Sequence, residues 1–161
     1  KDLTDRPVHV LGAGEGTHHL EVSNSPGLTT TSAADSGKRA YTAAGLGPGD
    51  IDVVQLYDAF TINTVMFLED LGFCSKGEGG AFVSDGRIAP GGVLPVNTNG
   101  GGLSCVHPGM YGLFALVEAV DQLMWRAGER QVKRPETALA HGNGVELSSQ
   151  ATVILGGPET V

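Results

Sequence analysis

The sequence predicts an α/β domain in which a mixed, mostly parallel sheet lies between helices. A chain of 161 residues is long enough for one domain with a sizeable core. Apolar residues make up 40% of the chain and charged residues 17%, so it can bury such a core. Strand-like and helix-like segments also alternate along the sequence, which is typical of a parallel sheet covered on both faces.

The first half of the chain contains two strand–helix pairs. Residues 8–11 are short and β-rich, and the glycines at 12–16 after them predict a tight turn. These glycines do not fit a dinucleotide-binding loop, because the third one comes a place too early. A helix is predicted over 33–44, followed by a strand over 51–57 and a helix over 61–72.

The second half begins with a glycine-rich stretch and ends in a helix and two strands. Residues 72–106 contain ten glycines and predict hairpins or an extended loop, with a turn at Asp85-Gly86. Apolar residues at helical spacing predict a long helix over 111–125. Two short strands over 137–140 and 151–155 close the predicted sheet.

The composition excludes several classes of protein. The net charge is −8 without a basic cluster, which argues against nucleic acid or an anionic membrane as a partner. No apolar run approaches the ~20 residues of a membrane span, and we expect no signal peptide. The two cysteines, Cys74 and Cys105, are too few for a secreted disulfide scaffold. We therefore expect a cytoplasmic protein.

The segment 95–109 is the richest candidate for chemistry. It combines three consecutive glycines, which permit a close approach of the backbone, with five polar or reactive side chains: Asn97, Asn99, Ser104, Cys105 and His107. A histidine near a helix N-terminus tends to be neutral, as a general base or an oxyanion donor requires. A hydrogen-bonded imidazole in a capping loop is the alternative, and both readings stay open.

Two further polar groups follow predicted strands. Tyr57-Asp58 comes after the strand over 51–57, and His141 and Asn143 come after the strand over 137–140. Ligands usually bind at the carboxyl ends of strands in α/β sheets, so we expect Tyr57, His107 and His141 to share a pocket if their strands run parallel. The alternative for the first pair is a tyrosine packed on the core and an aspartate that caps the next helix. We expect no metal site.

These three loops, in this order, resemble the C-terminal half of the thiolase superfamily, closest to its lipid-transfer-protein-associated branch. Thiolases carry an N-E-A-F or H-D-x-F block, then N-x-x-G-G followed by G-H-P, then a glycine-rich C-x-G block. The corresponding stretches here are Tyr57-Asp-Ala-Phe60, Asn97-Thr-Asn-Gly-Gly-Gly102 with Val106-His107-Pro108, and His141-Gly-Asn-Gly144. The match runs over most of residues 8–157.

The resemblance implies a thiolase C-terminal domain over residues 1–161, with a five-stranded sheet and with 1–30 as a first strand and a connecting loop. It implies acyl transfer on a coenzyme A thioester in lipid metabolism, a missing N-terminal thiolase domain and a homodimer, and no covalently bound cofactor. The catalytic residues it implies are His107, Tyr57 and His141. The residues it implies for substrate binding are Asn97, Asn99, Gly101 and Asn143.

Departures from the thiolase pattern leave two alternatives. The acyl-accepting cysteine of thiolases lies in the N-terminal domain and has no equivalent here, so we expect the chain alone to be inactive as a thiolase. Tyr57 replaces the thiolase Asn or His, as in relatives that resemble retro-aldolases of steroid side-chain CoA esters and pair with a DUF35-type OB-fold protein. The third possibility is a non-catalytic domain that shapes a partner's site.

Overall fold

The computed structural model describes residues 3–105 and 109–161 and has an α/β architecture with a mixed sheet. Helices lie on both faces of this sheet, as the sequence predicts. The elements follow the chain in this order: β1 (His9–Thr17), α1 (Ala33–Ala44), β2 (Val53–Leu56), α2 (Thr61–Asp70), α3 (Gly79–Phe82), α4 (Tyr111–Leu123), β3 (Thr137–Gly144) and β4 (Ser149–Gly156).

The sheet has the strand order β1-β4-β3-β2. Only β2 and β3 pair in parallel, whereas β4 is antiparallel to both β1 and β3. The expectation of a mostly parallel sheet is therefore wrong, because a hairpin too short for a crossover joins β3 to β4. Within the described residues the sheet has four strands rather than five.

A fifth segment touches the free edge of β2 but does not grow into a strand. Val96 forms one parallel bridge with Val54, supported by a hydrogen bond from Val54 N to the Pro95 carbonyl at 3.0 Å. The next residue, Asn97, has a φ of +51°, which turns the backbone away from the sheet. Its side-chain Oδ1 accepts the hydrogen bond from Leu56 N at 2.7 Å, where a fifth strand would have offered a backbone carbonyl.

The glycines over 12–16 lie in strand β1 and not in the predicted turn. Successive residues of a strand point to opposite faces, so Gly12, Gly14 and Gly16 share one face, and α1 packs directly against it. A Cβ on any of the three would collide with a backbone carbonyl oxygen of α1 or of its cap residue. The alternating glycines thus allow a helix to approach the sheet closely.

The two faces of the sheet bury separate apolar clusters. Val54, Leu56, Leu139 and Ile154 pack with α1 and α2 on one face. The other face packs against α4 through Val53, Ala119, Leu123, Ala138, Ala140 and Leu155. Residue 57 continues the alternation of β2, which directs Tyr57 to the α4 face.

The predicted helices are confirmed, and the glycine-rich stretch is mainly irregular. Helix α1 ends at Gly45, whose φ of +68° fits the expected stop. Asp85 and Gly86 have φ values of +57° and +71°, which confirms a turn there. The described part of 72–106 contains the short helix α3 but none of the expected hairpins. No helix in the two described ranges is both long and apolar enough to cross a membrane.

Candidate functional site

A cleft of about 410 Å³ opens at the carboxyl ends of β2 and β3, beside the first turns of α4. Its lining includes Tyr57, Gly109, Met110, Leu113 and Asn143. A second cavity of about 460 Å³ shares Tyr57, Gly109 and Asn143 with it and extends past Phe60. Tyr57 and Asn143, two of the polar residues predicted at these strand ends, therefore border one continuous space.

Tyr57 is held in this cleft by its backbone and its ring. Its N–H donates to the carbonyl oxygen of His141 at 3.0 Å, which continues the parallel pairing of β2 with β3 for one residue beyond the strand. The residue is 6% exposed, and its ring meets Tyr111 edge to face, with 5.6 Å between ring centroids. Tyr57 thus packs on α4 and also lines the cleft.

Two glycines allow α4 to approach β3 at this point. A Cβ on Gly112 would lie 3.2 Å from Gly142 Cα, and one on Gly142 would lie 3.5 Å from Gly112 Cα. The first contact is tighter than a side chain tolerates without movement of its neighbour. This close approach brings Tyr111 against Tyr57 and narrows the cleft.

Asp58 organises the triple-glycine loop and does not cap α2, whose N-cap residue is Phe60. The Asp58 carboxylate is buried and accepts hydrogen bonds from Gly102 N at 2.6 Å and from Leu103 N at 3.4 Å. Gly101 lies against this carboxylate with a φ of +73°. A side chain there would be strained and would overlap with Asp58, so only glycine fits.

The two asparagines of the loop stabilise its shape. Asn97 Oδ1 accepts from Leu56 N, as described above, and ties the loop to the end of β2. Asn99 Oδ1 accepts from Gly101 N at 2.9 Å and from the Tyr111 hydroxyl at 3.0 Å. Burial raises the pKa of Tyr111 to about 12, so its hydroxyl stays protonated as a donor. Neither asparagine is among the residues that line the two cavities.

A buried polar network supports the loop from below. Thr98 Oγ1 donates to Glu118 Oε1 at 2.7 Å, and the Arg130 guanidinium pairs with the same carboxylate, with Nη2 at 2.9 Å from Oε2. Burial by itself raises the pKa of the Glu118 carboxyl, but hydrogen bonds from Arg130 and from neutral neighbours outweigh it and hold that pKa below its ordinary value. The sequence did not lead us to predict this network. Its only sign in the sequence is Glu118, an acidic residue on the apolar face of the predicted helix.

His141 lies on the opposite face of the sheet from Tyr57 and is completely buried. Its ring packs on Phe67 with 4.6 Å between centroids, and it is absent from the residues lining the cleft. Successive residues alternate between faces, so His141 points away while Gly142 borders the cleft. The structure therefore does not bring Tyr57 and His141 into one pocket.

Hydrogen bonds define the state of the His141 imidazole. Nδ1 lies 2.9 Å from Thr152 Oγ1, and Nε2 lies 2.9 Å from Gln150 Oε1. Gln150 Nε2 donates to the Leu147 carbonyl at 3.1 Å, which fixes its amide orientation. Nε2 of His141 consequently carries the proton and Nδ1 accepts. Burial lowers the pKa of His141 to about 4, against the opposing hydrogen bond to Gln150, so the ring is neutral at pH 7.

Asn143 borders both cavities with a fixed amide. Its Oδ1 accepts a hydrogen bond from Gln150 Nε2 at 3.0 Å. This leaves Nδ2 as a donor that has no partner within residues 3–105 and 109–161. Among the predicted substrate-binding residues, Asn143 is the one that the structure brings into the cleft with Tyr57.

His107 lies outside the described residues. Gly109, the second residue after it in the sequence, lines the cleft. Cys105 is exposed, and its Sγ lies 3.8 Å from Ser104 Oγ. In the described part of the chain, no group of three or more His, Cys, Asp or Glu side chains could hold a metal ion.

Comparison with known proteins adds three findings. The model of the thiolase C-terminal domain-like family matches residues 14–157. Acetyl-CoA acetyltransferase of Methanothermobacter thermautotrophicus is 37% identical over 146 residues, which is 89% of this chain and 38% of that protein. Sterol carrier protein 2 of Rattus norvegicus is 39% identical over 127 residues, or 78% of this chain and 23% of that protein.

A solved structure of an Ltp2-ChsH2(DUF35) aldolase has the same fold. It is 31% identical in sequence with a TM-score of 0.82, and the match covers 93% of this chain and 39% of that one. This chain therefore spans about two-fifths or less of the length of each of these three relatives.

Proposed function

Because this chain belongs to the thiolase C-terminal domain-like family, we propose that it forms one half of an active site for acyl transfer on a coenzyme A thioester. The other half is a preceding domain that supplies the nucleophilic cysteine. Coenzyme A enters as part of the substrate, and no covalently bound cofactor takes part. The site is the cleft between β2, β3 and α4.

One observation carries this proposal: the residues that line the cleft include two whose side chains carry a hydrogen-bond donor, Tyr57 and Asn143. A phenol hydroxyl and an amide nitrogen suit an oxygen that gains negative charge during the reaction. In acyl transfer that oxygen is the thioester carbonyl, which becomes an oxyanion when a nucleophile attacks. Hydrogen bonds hold both residues in place, which limits how far they must move during that step.

We assign proton transfer to His107, as the resemblance to thiolases implies. In acyl transfer, His107 takes the proton of the cysteine thiol, and the thiolate attacks the thioester carbonyl carbon. The carbon–sulfur bond to coenzyme A then breaks, and the leaving thiolate receives a proton. The rigid loop that Asp58, Asn97 and Asn99 hold together precedes His107 directly and would orient it. His141 has a structural role in this scheme, since it holds Gln150 and through it Asn143.

The exposed apolar face of α4 supports the proposal of a missing domain. Leu113, Phe114 and Val117 are 59%, 51% and 58% exposed and lie on neighbouring turns of the helix. A contiguous apolar stripe of this kind typically marks an interface. The chain is also much shorter than its relatives, so we assign this face to the preceding domain.

We further propose a homodimer, and a cytoplasmic location in which both free cysteines stay reduced.

Retro-aldol cleavage of a β-hydroxyacyl-CoA is the second candidate, favoured by Tyr57 and by the similarity to an aldolase structure. A base removes the hydroxyl proton, the Cα–Cβ bond breaks to give a carbonyl product, and the thioester enolate then takes up a proton. The same two donors would stabilise that enolate oxygen. A DUF35-type partner belongs to this alternative. A non-catalytic role beside a partner's site is the third.

Assays of the full-length protein separate these functions. Acyl transfer predicts CoA-dependent cleavage of acetoacetyl-CoA that iodoacetamide abolishes. Retro-aldol cleavage predicts release of a ketone or aldehyde from a β-hydroxyacyl-CoA that survives the reagent. The Cys105→Ser variant is the control, because it removes the exposed thiol of this chain. His107→Ala is expected to lower kcat by about 100-fold or more without unfolding the protein. Absence of both activities would contradict an enzymatic role.

A further inference from the structure

A recess beside the cleft has no role in the chemistry proposed above. It has a volume of about 360 Å³ and lies between the first turn of α2 and the β3–β4 hairpin. Five apolar residues line it: Val22, Ala59, Phe60, Val145 and Leu147. It shares Phe60, Asn143 and Val145 with the cavity that Tyr57 lines, so the two spaces adjoin. We refer to it as the Asn63 recess.

Asn63 is the polar group that distinguishes this recess. The residue is 1% exposed, and neither Nδ2 nor Oδ1 has a hydrogen-bond partner among the described residues. A buried amide that lacks partners is costly, and such groups normally bind protein, water or ligand. Its neighbour on the same helix face, Phe67, is fully buried and apolar. Asn63 therefore places a hydrogen-bond donor and an acceptor at a buried position where an apolar side chain would pack.

The hairpin that closes the recess is strained. Val145 and Leu147 have φ values of +52° and +63°, although β-branched and bulky residues rarely adopt this region. Glu146 between them anchors the tip, since its carbonyl oxygen lies 3.3 Å from His19 Nε2 and its carboxylate accepts from Val22 N at 3.4 Å. Strain that neighbouring contacts maintain in this way clusters at ligand-binding loops.

We propose that the Asn63 recess binds a neutral ligand group that both donates and accepts a hydrogen bond, namely a secondary amide or a hydroxyl. A group of this kind satisfies both atoms of Asn63 at once, whereas a group that only donates or only accepts satisfies one of them. The Glu146 carboxylate in the lining disfavours phosphate and carboxylate groups. This inference rests on the proposed function, since a coenzyme A thioester offers two sources of that chemistry. The amides lie in its pantetheine arm, and a hydroxyl lies in a β-hydroxyacyl group.

Four thioester probes test the assignment on the full-length protein by calorimetry. They are butyryl and 3-hydroxybutyryl thioesters, each of pantetheine and of propanethiol, so that amide and hydroxyl vary independently. The variant is Asn63→Leu, which keeps the side-chain size and removes both polar atoms. Asn24→Leu makes the same change at an exposed position and serves as the control, for which no probe should change affinity.

An amide source predicts that Asn63→Leu weakens both pantetheine thioesters about tenfold and leaves both propyl thioesters unchanged. A hydroxyl source predicts the same loss for both 3-hydroxy probes only. Equal effects on all four probes, or none, would overturn the assignment and leave a bound water as the partner of Asn63. Failure of every probe to bind the wild type would contradict the proposed function itself, and the assignment with it.

Stability gives a second readout that does not need a ligand. Removal of an unpartnered buried amide should leave the melting temperature of the ligand-free protein unchanged or raise it. A clear decrease for Asn63→Leu, relative to Asn24→Leu, would show that Asn63 already has a partner within the protein. That result would also overturn the assignment.

Discussion

Substitution of Gly101 by alanine tests how the triple-glycine loop is built. Gly101 has a φ of +73° and a ψ of 176°, a backbone conformation that is essentially restricted to glycine and costs a residue with a Cβ about 1–3 kcal/mol. The new methyl group would also overlap with the Asp58 carboxylate. Displacement of that carboxylate breaks its 2.6 Å hydrogen bond from Gly102 N, and a bond to a charged group is worth about 1.5–3 kcal/mol. We expect a loss of about 4 kcal/mol in the free energy of unfolding.

Two other glycines provide matched controls. Gly91 has a φ of +83° and open space around its Cβ position, so Gly91→Ala should show only the backbone cost of about 1–2 kcal/mol. Gly49 has open space and no positive φ, so Gly49→Ala should be close to neutral. Urea denaturation followed by circular dichroism measures all three. A Gly101→Ala loss within 1 kcal/mol of the Gly91→Ala loss would refute the role given to Asp58.

Three further predictions concern groups around the site. Because the pKa of His141 is about 4 in the fold, below the ordinary 6.5, the unfolded chain binds more protons between those values. His141 by itself should therefore contribute a loss of about 3 kcal/mol in the free energy of unfolding of the wild type from pH 7 to pH 4. The slope of unfolding free energy against pH should be shallower in His141→Gln, and an unchanged slope would contradict the assignment. Arg130→Met should lower the free energy of unfolding by about 1–3 kcal/mol, as measured by denaturation. This range is below that of a fully buried ion pair because the arginine is half exposed. Glu118→Gln in that background should recover part of the loss, whereas additive losses would exclude coupling. Tyr57→Phe should lower kcat/KM of the full-length enzyme about 100-fold with little change in melting temperature. A loss below threefold would show that the hydroxyl has only a structural role.

The fold was predictable wherever local periodicity and packing agree. Helix α4 shows this, because the apolar residues predicted over 111–125 are those that face the sheet or form the exposed stripe. The glycines of β1 show the opposite. Their spacing of two is also the period of a strand, but glycine carries no hydrophobic signal, so the sequence suggested a turn. Only the backbone of α1, packed directly on that face, explains why these positions exclude a Cβ.

Strand direction was the part of the topology that the strand–helix alternation predicted wrongly. The short connection over 145–148 lies between two apolar runs, and a hairpin there requires antiparallel pairing. The strand–helix alternation of the first half outweighed that local signal. The error did not reach the candidate site, which lies at the ends of β2 and β3 and not at the antiparallel strand β4. β2 and β3 are parallel, and that pair alone brings Tyr57 and Asn143 together.

Within the candidate site, residue type was a poor guide to side-chain direction. His141 and Asn143 lie two positions apart on one strand and point to the same face, yet the cleft reaches only Asn143, near the strand end. Asp58 looked like a helix cap from its position before α2. Its hydrogen-bond donors are backbone amides more than forty residues away in the sequence. A local sequence pattern does not predict a contact between residues so far apart.

We propose that Tyr57 and Asn143 polarise a thioester carbonyl in the cleft at the ends of β2 and β3. Infrared difference spectroscopy of a carbon-13-labelled acyl-CoA bound to the full-length protein tests it most directly. We expect a carbonyl stretch at lower frequency than in free solution, and a partial return towards the free value in Tyr57→Phe. A bound carbonyl with the frequency of the free thioester, or one that Tyr57→Phe leaves unchanged, would contradict it.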